Sequence, residues 1–236
     1  MTSILDHGRA IAAMGQTPLA VLDVDLTLLE NGPRTRAILA DWVHSVRDRW
    51  ADADAALMRA PTMPLVFNAR ENLRTLGVED DALARDGLGF WWRAFFTDRY
   101  AHHDVPLAGA VDVVRALRAA DITVVYLTAR PTQMVAGTVR RFREVGLPIN
   151  EPGAMLVMRP DDVSDQGQFK RDALRWLSTL GRAVLCADNE PAHVNAMQAT
   201  FPEARTVLVD TRHSPGAPAL AEGIDRVLSL RGLLTH

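Results

Sequence analysis

The feature that most limits what this chain can fold into is a change of rhythm at Pro106. From there on, short apolar runs alternate with amphipathic helical stretches. Ile122–Leu127 (ITVVYL) is a strongly β-branched strand, followed by a helix around Gln133–Val145 and a strand at Ala154–Met158. A helix around Phe169–Leu180, a strand at Ala183–Ala187, a helix after Pro191 and a strand at Thr206–Val209 continue the series. A final helix is expected within Ile224–Leu234. Strands alternating with helices predict an α/β fold with a parallel sheet covered on both faces. One further strand, Pro18–Leu22 (PLAVL), stands apart from these, separated by residues 30–105. That interval shows helical periodicity and no convincing strand. Pro33 is placed near a helix start, and Leu39, Trp42, Val43, Val46 and Trp50 share one helical face. Two prolines in APTMPLVFN interrupt the pattern, which resumes over Ala69–Leu76, stops at Gly77 and restarts near Asp81. A connection this long with helices of its own is expected to form a small second domain. The expected division is a core from 1–29 and 106–236 with an α-helical domain at 30–105.

Composition narrows the function classes. The net charge is −3 and the arginines are spread along the chain among acids, so no nucleic-acid partner is expected. No apolar segment approaches the roughly 20 residues needed to cross a bilayer. The start of the chain lacks a basic region followed by an apolar one, so no signal peptide is read. A single cysteine, Cys186, forbids an intrachain disulfide and fits a reducing, cytoplasmic compartment. Within the run AVLCA it reads as a buried packing residue. A soluble globular protein is expected.

In open parallel sheets, ligands bind beyond the carboxyl ends of the strands. The polar residues there are therefore the candidates. The first strand ends in Asp23 and Asp25, with Thr27 beyond, and strand alternation would place the two aspartates side by side. The second ends in Thr128, with Arg130 just after it. Lys170, the only lysine in an arginine-biased chain, begins the helix after the third. The fourth ends in Asp188, Asn189 and Glu190. Clustered carboxylates ask for a hard cation such as Mg2+, and a lysine and a threonine beside it suit a phosphoryl group.

These stretches, DVDLT (23–27), LTAR (127–130), Lys170 in QFKRDAL and ADNEP (187–191), resemble in order the four motifs of the haloacid dehalogenase (HAD) superfamily, specifically its Mg2+-dependent phosphatases. The resemblance implies a Rossmann-like three-layer core, with the helical insertion where the family places its type 1 cap. It implies a phosphomonoesterase acting on a small phosphorylated metabolite through an aspartyl-phosphate. Asp23 would be the nucleophile and Asp25 the general acid and base. Thr128 and Lys170 would hold the phosphoryl oxygens, with Arg130 a further substrate contact. Mg2+ would be held by Asp23, Asp25 through its backbone carbonyl, Asp188 and Asn189. An acid two residues after the nucleophile marks ester chemistry, because a departing halide needs no proton. A phosphomutase or a catalytically silent binding member would carry the same motifs. A receiver-type signalling module also uses clustered Asp, Thr and Lys, but lacks the insertion and the Asp-x-Asp spacing.

Two departures stand out. The fourth motif commonly offers a second acid, whereas here the adjacent position is Asn189 and the later ones are Ala192 and His193; Glu190 is the alternative ligand. Leu26 replaces the glycine often found between the second Asp and the Thr. Outside the motifs, Trp91, Trp92, Phe95 and Phe96 have the spacing of packing residues. His102, His103 and Asp104 fall where the insertion rejoins the core and read as hinge or surface, while Arg34 and Arg36 are weak candidates for substrate contact.

Overall fold

A computed structural model describes residues 3–233. Its strands are β1 (Pro18–Leu22), the short β2 (Leu29–Glu30) and β3 (Val105–Pro106), β4 (Thr123–Pro131), β5 (Ala154–Arg159), β6 (Arg182–Asp188), β7 (Arg205–Val209) and β8 (Asp225–Val227). Six of them form one sheet in the order β5–β4–β1–β6–β7–β8, with every pairing parallel. The chain moves outward from β1 through β4 to β5, and in the other direction through β6 and β7 to β8. The order therefore reverses beside β1, which is where such sheets open a crevice.

Two compact units are present. The first comprises Met1–Glu30, Pro106–Thr132 and Phe142–His236. Alternate strand residues serve its two faces. Ala20, Leu22, Val124 and Tyr126 pack with Ile4 and Ile11 of helix α1 (Ile4–Ala13) and with Val113 and Leu117 of α6 (Ala110–Ala119). Leu19, Val21, Val125 and Leu127 pack on the other face with Ala173, Leu174 and Leu177 of α8 (Gln166–Leu180) and Met197 of α9 (Pro191–Thr200). Cys186 lies in this second cluster, and burial pushes its thiol up, out of the reactive range. No helix among the described residues is long and apolar enough to cross a membrane.

Three elements depart from the sequence reading. Helix α1 was not anticipated, although Ser3 caps it by accepting from the Asp6 N–H. The helix expected within Ile224–Leu234 is replaced by β8 and turns. Asp225–Val227 extends the sheet beside β7, anchored by Arg205 to Asp225 at 3.0 Å, and Gly232 takes a left-handed φ of 78° that ends any helix there. Leu234 lies outside the described residues. Strand β4 runs to Pro131 rather than Leu127, with a register shift against β5 between Thr128 and Pro131.

The second unit comprises Asn31–Val105 and Gln133–Arg141. Its helices are α2 (Gly32–Val46), α3 (Ala53–Arg59), α4 (Ala69–Leu76) and α5 (Asp81–Phe95), around a core of Leu39, Trp42, Val43, Val46, Leu73 and Leu76. Trp50, expected on α2, is extended beyond its end, yet its ring lies 5.9 Å from that of Trp42. The segment Gln133–Arg141, the start of α7 (Val135–Val145), joins this unit through specific contacts. The Gly137 N–H donates to Asp98 at 2.7 Å, and Arg141 donates to the Asp104 carbonyl at 2.6 Å. A Cβ on Gly137 would meet Asp98 at 2.6 Å, so the approach requires glycine.

Arg34 is fully buried within this unit. It pairs with the buried Asp104 at 3.0 Å and lies 4.1 Å over the Phe95 ring. Arg36 donates to the Met63 carbonyl at 3.0 and 3.2 Å. Both arginines, and Asp104, therefore have structural partners. Breaking a buried ion pair leaves an uncompensated charge, which costs about 3–5 kcal/mol. Arg34→Met is expected to destabilise the protein by about that much in urea unfolding, and Arg34→Met with Asp104→Leu to recover most of the loss.

Candidate active site

Lys170 reaches the strand ends because of where it stands on α8. With Ala173, Leu174 and Leu177 it falls at i, i+3, i+4 and i+7, the face that packs on the sheet. Asp23 follows Leu19 and Val21 by the two-residue period and lies on the same side. The ammonium donates at 2.7 Å to Asp23 Oδ1 and at 2.6 Å to Asp188 Oδ2. All three groups are buried, at 2%, 4% and 0% exposure. Asp188 also accepts from the Glu190 N–H at 2.9 Å and lies 3.4 Å from His193 Nδ1.

Asp23 and Asp25 do not line one strand face. Strand β1 ends at Leu22, and Leu26 adopts a left-handed φ of 62° while its N–H donates to the Leu29 carbonyl at 2.7 Å. The strand thus ends before the two aspartates, and the turn follows Asp25. Asp25 faces Arg130, which donates Nε to Oδ2 at 2.7 Å and Nη2 to Oδ1 at 2.9 Å. The left-handed turn also explains the glycine common at Leu26, since that conformation suits a residue without Cβ.

Arg130, expected as a substrate contact, is thus engaged by Asp25 and is 2% exposed. Thr128 is buried beside it, its hydroxyl oxygen accepting from the Arg130 N–H at 3.2 Å. Asn189, an expected metal ligand, donates its amide to the Arg212 carbonyl at 2.6 Å. Its alternative, Glu190, accepts from the Ser214 N–H at 3.0 Å and the Ser214 hydroxyl at 2.6 Å. Among the described residues, no three His, Cys, Asp or Glu side chains converge as a ready ligand set. The donor set still suits a hard cation: Asp23 and Asp188 are two buried carboxylates sharing one ammonium, an excess of negative charge in a dry place.

That excess shows in the protonation equilibria. Burial, reinforced by the charges of Asp188 and Asp25, pushes the Asp23 carboxyl up to about 7 against the opposing pull of Lys170. Burial acts on Asp188 in the same direction, but Lys170 and His193 outweigh it and hold that carboxyl well below the usual range. Burial would lower Lys170, yet its two carboxylates more than compensate and keep it firmly protonated.

The sequence reading did not find the segment after β7. The Thr211 hydroxyl donates to the Leu26 carbonyl at 2.7 Å, and Arg212 pairs with Glu30. Together with Asn189 and Ser214, these contacts tie the first and fourth motifs to one strap, residues 211–214. Its signal was present: DTRHS stands at the end of a strand, where polar residues had been sought for four other strands only.

In the second unit, Trp91 and Phe95 stack at 4.3 Å and Trp92 and Phe96 at 5.6 Å. Trp91 packs on the core of that unit, whereas Trp92 is 52% exposed, so the packing expectation holds for only part of the group.

No family model matches the chain, and neither does any curated protein. Solved structures do match. A proposed phosphatase from Clostridium difficile superposes with a TM-score of 0.55 at 11% identity, covering 93% of this chain and 99% of that one. Protein Tyrosine Kinase A of Mycobacterium tuberculosis gives 0.56 at 17%, covering 90% and 93%. A proposed beta-phosphoglucomutase from Thermotoga maritima gives 0.52 at 13%, covering 93% and 97%. The chain shares with these structures a Rossmann-like α/β fold, the fold class expected from the alternation of its strands and helices.

A carboxyl raised from 3.8 to about 7 binds a proton in the folded state that the unfolded chain has lost. Its stabilising contribution is complete below the unfolded value and disappears as pH rises through 7. Asp23→Asn removes the ionisation and is expected to raise the metal-free thermal midpoint at pH 8, by at most about 4 kcal/mol in stability. The gain over wild type should shrink toward pH 5. A loss of stability at pH 8 would mean that Asp23 is there to hold the fold.

Proposed function

We propose that this chain is a HAD-superfamily phosphomonoesterase, dependent on Mg2+, that hydrolyses a small phosphorylated metabolite through an aspartyl-phosphate. The observation that carries the reading is the Asp23–Lys170–Asp188 cluster, buried where the strand order reverses, with the Asp25 carboxylate on the next turn.

Each residue has a task that its surroundings support. The Asp23 carboxylate attacks phosphorus, forming the Asp23 O–P bond as the bond from phosphorus to the alcohol oxygen breaks. Asp25 gives its proton to that departing oxygen. It then takes a proton from the water that attacks phosphorus, which frees Asp23 and releases inorganic phosphate. Lys170 uses two of its three N–H groups on Asp23 and Asp188, leaving the third for a phosphoryl oxygen. The Thr128 hydroxyl accepts from a backbone N–H, and its own proton is directed to a second phosphoryl oxygen in this reading. Mg2+ would be held by Asp23, the Asp25 carbonyl and Asp188, with Asn189 ordering a water. When bound, it neutralises charge on the phosphoryl group and allows Asp23 to be ionised in spite of its burial. The insertion is read as the cap that selects the substrate.

A phosphomutase is the second reading, supported by the fold likeness to the Thermotoga maritima protein. It shares every step except the last, because water is kept from the phosphorylated aspartate.

Phosphate release from a panel of phosphorylated metabolites and an aryl phosphate, with Mg2+ and with chelator, tests the proposal. Wild type should turn over only with Mg2+, and Asp23→Asn should lose at least about a thousandfold. Isomerised sugar phosphate without phosphate release would select the mutase instead. Full activity in Asp23→Asn would overturn both.

A further inference from the structure

We infer that Arg130 is a positioning residue for Asp25, acting through that carboxylate and not on the substrate. The inference rests on the phosphatase reading above.

A carboxylate is loosely held about its terminal torsion, so one contact leaves it free to turn. Arg130 makes two. Its Nε and Nη2, the flat edge of the guanidinium, meet Oδ2 and Oδ1 at 2.7 and 2.9 Å. A fork of this kind fixes both the plane and the distance of the carboxylate. The two sides of the pair differ in a telling way: the Arg130 side chain is 1% exposed and that of Asp25 is 24% exposed. The cation lies beneath, and the carboxylate stands between it and solvent. The Asp25 side chain stays 24% exposed beside this clamp, so the carboxylate remains within reach of solvent.

Arg130 is itself held. Arg159, at the end of β5, donates Nε to the Ala129 carbonyl at 3.0 Å, inside the stretch where β4 shifts register. The Arg130 N–H donates to Thr128 at 3.2 Å. The end of β4 therefore holds two functions in alternate residues, with Thr128 directed to the phosphoryl oxygens in the proposed reaction and Arg130 to Asp25.

Asp25 must present an oxygen twice in one turnover, once to the departing alcohol oxygen and once to the incoming water. Both transfers fail when the carboxylate turns away, and a misplacement of about 1 Å can cost a hundredfold. Loss of Arg130 should therefore lower kcat with little change in KM.

The test compares wild type, Arg130→Ala, Arg130→Lys, Asp25→Asn and the double variant Asp25→Asn/Arg130→Ala on the best substrate, with Asp23→Asn as control. Arg130→Ala should lower kcat about ten- to a hundredfold and alter KM less than about threefold. Added guanidinium should restore part of its rate. Arg130→Lys, which keeps the charge and loses the two-point edge, should stay impaired; it carries the test if the alanine variant does not fold. In the Asp25→Asn background the Arg130 change should have almost no further effect. Raised KM at unchanged kcat, full activity in Arg130→Lys, or equal losses in both backgrounds would overturn the inference while wild-type turnover left the phosphatase reading in place. Absence of wild-type turnover, or full activity in Asp23→Asn, would overturn that reading and this one with it.

Discussion

An ammonium buried between two carboxylates is the interaction on which the rest of this structure depends. Dehydrating a lysine costs several kcal/mol, and only close opposite charge offsets it. Lys170 obtains that charge at 2.7 and 2.6 Å, from residues 147 and 18 positions away in sequence. Three conditions must hold together for this. Strands β1 and β6 must be neighbours, α8 must present its apolar face to them, and its first turns must reach the carboxyl ends of the strands. The sheet register meets the first, pairing Leu22 with Ala187 so that Asp23 and Asp188 follow each other across the ladder. The small and branched residues Ala173, Leu174 and Leu177 meet the second. Two carboxylates share one ammonium there, and burial together with the charge of Asp188 raises the Asp23 carboxyl to about 7.

The same dependence explains what was legible in the sequence. A parallel sheet with its ligand edge at the strand ends follows from alternation alone, and the residues at four of those ends could be named from it. The only lysine stood out because arginine serves elsewhere. Contacts set by tertiary approach were not legible. Nothing local assigns Arg130 to Asp25, 105 residues earlier, rather than to an anion from solution. Nothing local binds Asn189 to the carbonyl of Arg212. The C-terminal misreading has a different origin. Three residues, Asp225–Val227, are too few to show a period, and their strand character comes from the open edge of β7 beside them. Helix α1 has only the Ser3 cap and the spacing of Ile4, Gly8 and Ile11 to mark it in the sequence.

Fold likeness decides less than these details. Three of the matching structures bear the names of a phosphatase, a kinase and a mutase, at identities of 11%, 17% and 13%. One scaffold thus stands behind proteins named for different reactions, as expected when function resides in grafted side chains. The proposed ester chemistry rests on a local feature: a second carboxylate two residues after the first, held by Arg130 and partly open to solvent at 24%. In the proposed reaction the group that exchanges protons needs that access, and the group that attacks phosphorus needs a cation beside it, which Asp23 has in Lys170.

The turn that follows these two aspartates is maintained at a cost. A leucine in left-handed conformation is disfavoured by roughly 1–2 kcal/mol, which glycine would avoid. Leu26 is 6% exposed, however, and burying a leucine is worth about 1.5–3 kcal/mol. Packing therefore outweighs strain at this position. Both backbone polar groups of Leu26 are satisfied: its N–H donates to the Leu29 carbonyl, and its carbonyl accepts from Thr211. The result is a turn fixed from within by a buried side chain and from without by the strap after β7. Asp25 sits immediately before that turn, so its backbone is set by Leu26 and Thr211 while its carboxylate is set by Arg130. In the proposed reaction, the buried leucine and Arg130 thus place the Asp25 carboxylate together, whereas a flexible turn would leave that to Arg130 alone.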